Sequence, residues 1–149
     1  MTSTSGKLMV RGLAVFINDL WCRDACTILK HCSPDVEFMV VKCQPFHLPR
    51  EFTAAFITAV YVPPSADKQV AMNKLYDNIS RQQIAHPDAL YIFAGDFNKA
   101  CLKNVLPKHY QHVNYATRGN NTKIKDTYRP APLPHIGSSD HLTFTLQPQ

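Results

Sequence analysis

Leu90-Tyr91-Ile92-Phe93-Ala94-Gly95-Asp96-Phe97-Asn98 is the stretch on which the reading of this chain turns. An apolar run meets a glycine and is followed by an acid and an amide two positions apart. A run of this length, bounded by Gly, predicts a strand. Residues two apart on a strand leave the same face, so Asp96 and Asn98 are expected together at its C-terminal edge. Taken alone, Gly-Asp-Phe-Asn also suits a turn whose Asp and Asn side chains bond nearby backbone.

Upstream, the hydrophobic period changes. Between Ser65 and Ala85, Val70, Leu75, Ile79 and Ile84, with Met72 and Tyr76 between them, suit one broad helical face. Ser65 or Asp67 is the expected cap, and His86-Pro87 the stop. Before the helix, Phe52 to Val62 reads as a strand that ends at Pro63-Pro64, because proline cannot donate to a ladder. Strand, helix and strand in succession predict a crossover in a mixed α/β sheet. Leu13 to Asn18 and Val36 to Cys43 read as further buried strands. Residues 1–10 are expected to be a polar tail and 11–149 one domain, without repeats.

Downstream, Pro130-Ala131-Pro132-Leu133-Pro134-His135 reads as extended and loop-like, leading to Ser138-Ser139-Asp140-His141. The alternating Leu142-Thr143-Phe144-Thr145-Leu146 after it predicts a strand. An acid beside a histidine can orient the imidazole and stabilise its charged form, which suits it to acid–base work near neutral pH. Two strand ends, each carrying such groups, point to metal-assisted hydrolysis more strongly than either does alone.

These residues resemble the endonuclease/exonuclease/phosphatase family, and within it the endonuclease domains of LINE-type (non-LTR) retrotransposons. Gly95-Asp96-Phe97-Asn98 is similar to the family's Gly-Asp-Phe-Asn motif, and Ser139-Asp140-His141 to its Ser-Asp-His motif. Val60-Tyr61-Val62-Pro63-Pro64 is similar to its Tyr-x-Pro motif, and Thr117-Arg118-Gly119-Asn120 to the Thr-Arg-Gly stretch of the retrotransposon branch. The landmarks fall in the family's order over most of the chain, from about Arg11 to Leu146.

The resemblance implies a four-layer α/β/β/α sandwich of the deoxyribonuclease-I-like type, incomplete here, and hydrolysis of DNA phosphodiesters assisted by Mg2+ or Mn2+. It casts Asp96 as the group that positions or deprotonates water, and Asn98 and Tyr61 as contacts to the phosphate. His141 would stand beside the phosphate, with Asp140 as carboxylate support or metal contact. Thr117, Arg118 and Ser139 would bind substrate or hold the pocket in register. The family's Asn and metal-binding Glu motifs precede Tyr-x-Pro, and they have no counterpart here: the chain corresponds to the family's middle and C-terminal part. Glu37 and Glu51 are its only glutamates, and neither lies in that metal-ligand context. Between Thr122 and Tyr128 the family's Leu-Asp-His-Val-Tyr-like strand is also missing, leaving Asp126 as a poor replacement for its acid. Hydrolysis is therefore expected to be weak or absent. The other reading is a non-catalytic remnant that binds nucleic acid or protein. A partial domain is also expected to expose apolar surface or a strand edge and to self-associate through it.

Composition agrees with an ordinary globular protein: 45% hydrophobic and 18% charged residues exclude a disordered chain. A net charge of +5 and a pI near 9.0 permit a DNA partner without requiring one. The basic residues Lys99, Lys103, Lys108, Arg118, Lys123, Lys125 and Arg129 gather after Asp96. No window approaches the roughly 18 apolar residues of a membrane span, and Met1 to Lys7 lacks the core of a signal peptide. The expectation is an intracellular protein, nuclear or cytoplasmic, with no membrane partner. Five cysteines without CxxC spacing suggest reduced thiols rather than a zinc or disulfide framework. The other histidines and Trp21 are expected to pack or face solvent.

Overall fold

A computed structural model describes residues 7–10, 12–98, 100, 128–132 and 144–148. The chain divides into two compact units, residues 1–106 and 107–149, each described by itself.

In the first unit, β1 (Lys7–Val10) and β2 (Leu13–Phe16) form an antiparallel hairpin. The stretch read as a polar tail thus ends in a paired strand. A four-stranded sheet follows, built from β3 (Cys22–Cys32), β4 (Glu37–Pro45), β5 (Ala55–Tyr61) and β6 (Leu90–Asp96) in that order across the sheet. The β3–β4 and β4–β5 pairs are antiparallel, and β5–β6 is parallel. A parallel neighbour needs a crossover, and the helix α1 (Lys68–Ala85) supplies it. The expected α/β class with a mixed sheet is therefore observed.

The central strands are buried on both faces, which is why β4 reads as an almost continuous apolar run. On one face Phe38, Val40, Phe56 and Val60 meet Ala71, Met72, Leu75 and Ile79 of α1. On the other, Met39, Val41, Cys43 and Ala55 pack with Ile17, Cys22 and Val15, where the β1–β2 hairpin lies against the sheet. Full burial of a side chain such as Leu75 stabilises by roughly 1.5–3 kcal/mol. Truncation to Ala would cost about 2–5 kcal/mol, because a cavity remains.

Asp67 caps α1, its carboxylate accepting from the Gln69 and Val70 amides at 3.0 and 3.1 Å. At the other end the His86 amide donates to Gln82 O at 2.8 Å, and Pro87 disfavours helix for the residue before it. The Tyr91 hydroxyl lies 2.9 Å from the carbonyl oxygens of both Gln82 and His86, anchoring the last turn to β6. The buried face is narrower than the periodicity suggested. Met72, Leu75 and Ile79 are inside, whereas Val70, Tyr76 and Ile84 are exposed, Ile84 at 83%.

Strand β3 is another element the sequence did not reveal. It lies on an edge, most of its side chains are exposed, and two register shifts interrupt its pairing with β4. Its cysteines Cys22, Cys26 and Cys32, and Cys43 on β4, are free thiols. Cys22 and Cys43 are buried together, and burial followed by the neighbouring Cys22 pushes the Cys43 thiol up to about 12.

In the second unit, β7 (Tyr128–Pro132) pairs antiparallel with β8 (Phe144–Pro148). The Pro-rich segment read as a loop thus begins as a strand. Proline is tolerated there, as in other short two-stranded ladders, where edge positions need no N–H. Of the strand expected at Leu142 to Leu146, Phe144 to Leu146 lie in β8, which runs on to Pro148, and Leu142 and Thr143 lie outside the described residues.

Candidate functional site

The parallel ladder between β5 and β6 runs from Ala55↔Leu90 to Tyr61↔Asp96. Its last rung therefore places the phenol of one motif beside the carboxylate of another. Positions paired across a ladder share a face. The same rung continues across the sheet, because Glu37 on β4 pairs with Tyr61 and Cys32 on β3 pairs with Glu37. Glu37, Tyr61 and Asp96 thus form a transverse row at one end of the sheet. Tyr61 and Asp96 are half-buried, and Glu37 is buried at 9% exposure.

Gly95 makes this rung possible. A Cβ at that position would lie 1.8 Å from Val60 O, and its φ of +152° is one that side-chain-bearing residues rarely adopt. The glycine that ended the apolar run is there because β6 presses against the β5 backbone. Beyond the rung, the Val62 amide donates to Asp96 O at 2.8 Å.

The strand ends at Asp96, so strand alternation is not what brings Asn98 to the site. Asn98 sits at φ +42°, a left-handed conformation that Asn adopts more readily than most residues. Its amide N–H donates to Asp96 Oδ1 at 3.1 Å, and its Nδ2 donates to Val62 O at 2.6 Å. The turn reading of Gly-Asp-Phe-Asn describes this geometry, and the turn, not strand alternation, brings Asn98 beside Asp96. One Asn98 amide hydrogen and one Asp96 oxygen have backbone work, which ties the end of β6 to the chain leaving β5. Phe97 packs against the helix-side core, and the Ala100 amide donates to Phe97 O at 2.9 Å.

The loop between β5 and α1 is fixed as well. Lys68 Nζ donates to the carbonyl oxygens of Pro63, Pro64 and Ala66, and the Asp67 amide donates to Asp35 Oδ1 at 3.0 Å. Sequence reasoning passed over both Lys68 and Glu37. The chain order of strands gave no register, and register is what aligns Glu37 with Tyr61.

Of the expected site residues, Tyr61, Asp96 and Asn98 are together at this edge. Asp140, His141, Ser139, Thr117 and Arg118 lie outside the described residues. Among the described residues, no group of three or more His, Cys, Asp or Glu could hold a metal ion. Divalent Mg2+ demands near-octahedral oxygen ligation, so the described edge does not by itself fit that cation. A depression lined by Arg23, Asp24, Cys26, Lys42 and Gln44 shares no residue with the Glu37–Tyr61–Asp96 row. No helix among the described residues is long and apolar enough to cross a membrane.

Comparison with family models, with curated proteins and with solved structures yields no match.

Proposed function

We propose that the chain is an endonuclease/exonuclease/phosphatase-type domain of the LINE retrotransposon kind that engages DNA but hydrolyses it weakly or not at all. The observation that carries this is the Tyr61↔Asp96 rung. Two motifs, named from the sequence and separated by a whole helix, come into register at one sheet edge, with Asn98 bonded to both strands' ends. In this reading the sheet and α1 belong to the deoxyribonuclease-I-like sandwich. Asp96 orients or deprotonates the attacking water, Asn98 bonds the phosphate, Tyr61 contributes its phenol, and by the same resemblance His141 stands beside the phosphate with Asp140 as carboxylate support or metal contact. Thr117, Arg118 and Ser139 keep substrate and pocket aligned. The family's divalent cation, Mg2+ or Mn2+, supplies charge stabilisation at the phosphate when bound. By motif Asp140 would be the metal contact, and the family's metal Glu has no counterpart.

The reading as a non-catalytic binding module draws its support from the bonds already made at the edge. Asp96 Oδ1 and one Asn98 N–H are occupied by backbone partners, an arrangement that serves shape as well as chemistry.

Plasmid nicking by the purified chain with Mg2+ or Mn2+ tests the proposal, alongside binding of the same DNA. The expected outcome is binding without metal-dependent nicking. Nicking that His141→Ala and Asp96→Asn both abolish would overturn the impairment and require another carboxylate at the cation. Absence of any DNA affinity at low salt would remove the DNA reading altogether.

A further inference from the structure

Lys68 is the first residue of α1, directly after the Asp67 cap. A cation is disfavoured there, because the partial charge of a helix N-terminus is positive. Its position has another explanation. The ammonium turns back into the preceding loop and meets Pro63 O at 3.0 Å, Pro64 O at 3.1 Å and Ala66 O at 3.4 Å. An ammonium carries three N–H donors and no acceptor, so this convergence of carbonyls satisfies it. The Ala66 amide also donates to Pro63 O at 3.1 Å, which closes the turn around the cation.

This cradle is covalently next to the candidate site. Pro63 follows Val62, which is buried and committed to β6 through both of its backbone polar groups: its N–H goes to Asp96 O, and its C=O accepts from Asn98 Nδ2. If the Pro63–Ala66 carbonyls lose their common partner, their mutual repulsion spreads the turn, and the displacement falls on Val62 first.

We propose that Lys68 is a positioning residue for the Tyr61–Asp96–Asn98 edge, acting as a tethered cation in a three-carbonyl cradle that also accepts a small monovalent cation when the ammonium is removed. The inference does not depend on hydrolysis and holds for any ligand of that edge. Acylation of Lys68, which removes its charge and leaves one N–H, would loosen the edge in the same way. Lys68 is half-buried.

Amide hydrogen exchange, read by NMR on the full chain, tests this residue by residue. Lys68→Met keeps the aliphatic stem and removes the charge. The Val62 and Asn98 amides should then exchange about tenfold faster, as expected for loss of charge-assisted bonds, while those of Leu75 and Ile79 keep their rates. In Lys68→Ala, methylammonium should slow Val62 and Asn98 again, and tetramethylammonium at equal ionic strength should not. Wild-type rates at Val62 and Asn98 in Lys68→Met would overturn the proposal. Equal acceleration at Leu75 and Ile79 would do so too, because the lysine would then serve the helix alone. Should Lys68→Met fail to fold, Lys68→Arg carries the same comparison: its planar fork cannot aim three donors at one cradle, so unchanged Val62 and Asn98 rates count against the proposal.

Discussion

Tyr61 and Asp96 are partners on the terminal rung of a parallel ladder, and Glu37 extends that rung to β4. The row they form depends on close backbone approach at its inner neighbour, Gly95, and this gives the first prediction. Gly95→Ala places a Cβ against the Val60 carbonyl at a φ that alanine resists. The substitution should destabilise the chain by at least about 3 kcal/mol. A urea melt that moves by less than a third of this would mean that β6 can shift freely along β5.

Thr58 is 1% exposed, and its Oγ1 finds no hydrogen-bond partner among the described residues. Leaving a hydroxyl unpaired in an apolar core carries a desolvation cost that an isosteric methyl avoids. Thr58→Val should therefore stabilise by about 1 kcal/mol. Chemical denaturation of the two proteins side by side reads the difference, and a loss of stability would point to a partner for this hydroxyl.

His31 stacks on Phe38 at 4.7 Å, and its Nε2 is buried with no hydrogen-bond partner among the described residues. Burial, and then the charge of Lys74, hold its pKa below the ordinary value of 6.5. The unfolded chain takes up this proton first, so the contribution of neutral His31 is complete above about 6.5. It is lost as pH falls below that value and levels off beneath the folded pKa. His31→Leu should flatten this slope in melting temperatures measured between neutral and mildly acid pH. An unchanged slope would assign it to another group.

DNA affinity, if carried by the basic residues after Asp96, should fall steeply with salt, each phosphate contact removing about 0.9 from the slope of log K against log salt. Arg118→Ala and Lys123→Ala should each reduce that slope by about one. Fluorescence anisotropy over a potassium chloride series measures it. A salt-independent signal would indicate an interaction unrelated to phosphate.

The fold was legible wherever burial imposed a period. The crossover helix stood out because Met72, Leu75 and Ile79 repeat at helical spacing, and Asp67 was one of two caps the sequence offered. Strands β4 and β5 were visible because both of their faces are covered. Strand β3 escaped because an exposed, bulged edge needs neither apolar alternation nor a continuous run. Exposed apolar residues at 70, 76 and 84 widened the apparent helix face for the opposite reason: apolar character alone does not report burial. At the site, Tyr61, Asp96 and Asn98 were marked by their motifs. Glu37 and Lys68 were not, because their places follow from register and from a loop's carbonyl geometry, which no local pattern encodes.

The parallel ladder begins where the Leu90 amide donates to Ala54 O at 2.9 Å and the Thr53 amide to Asp88 O at 3.0 Å. This far end of β6 acts as a vernier for the other. Side chains alternate faces at every step, so removing a single residue between His86 and Leu90 would swing Asp96 to the helix side and bring Phe97 opposite Tyr61. The chemistry available at one end of the β5–β6 ladder is thus measured out by the length of a turn at its other end.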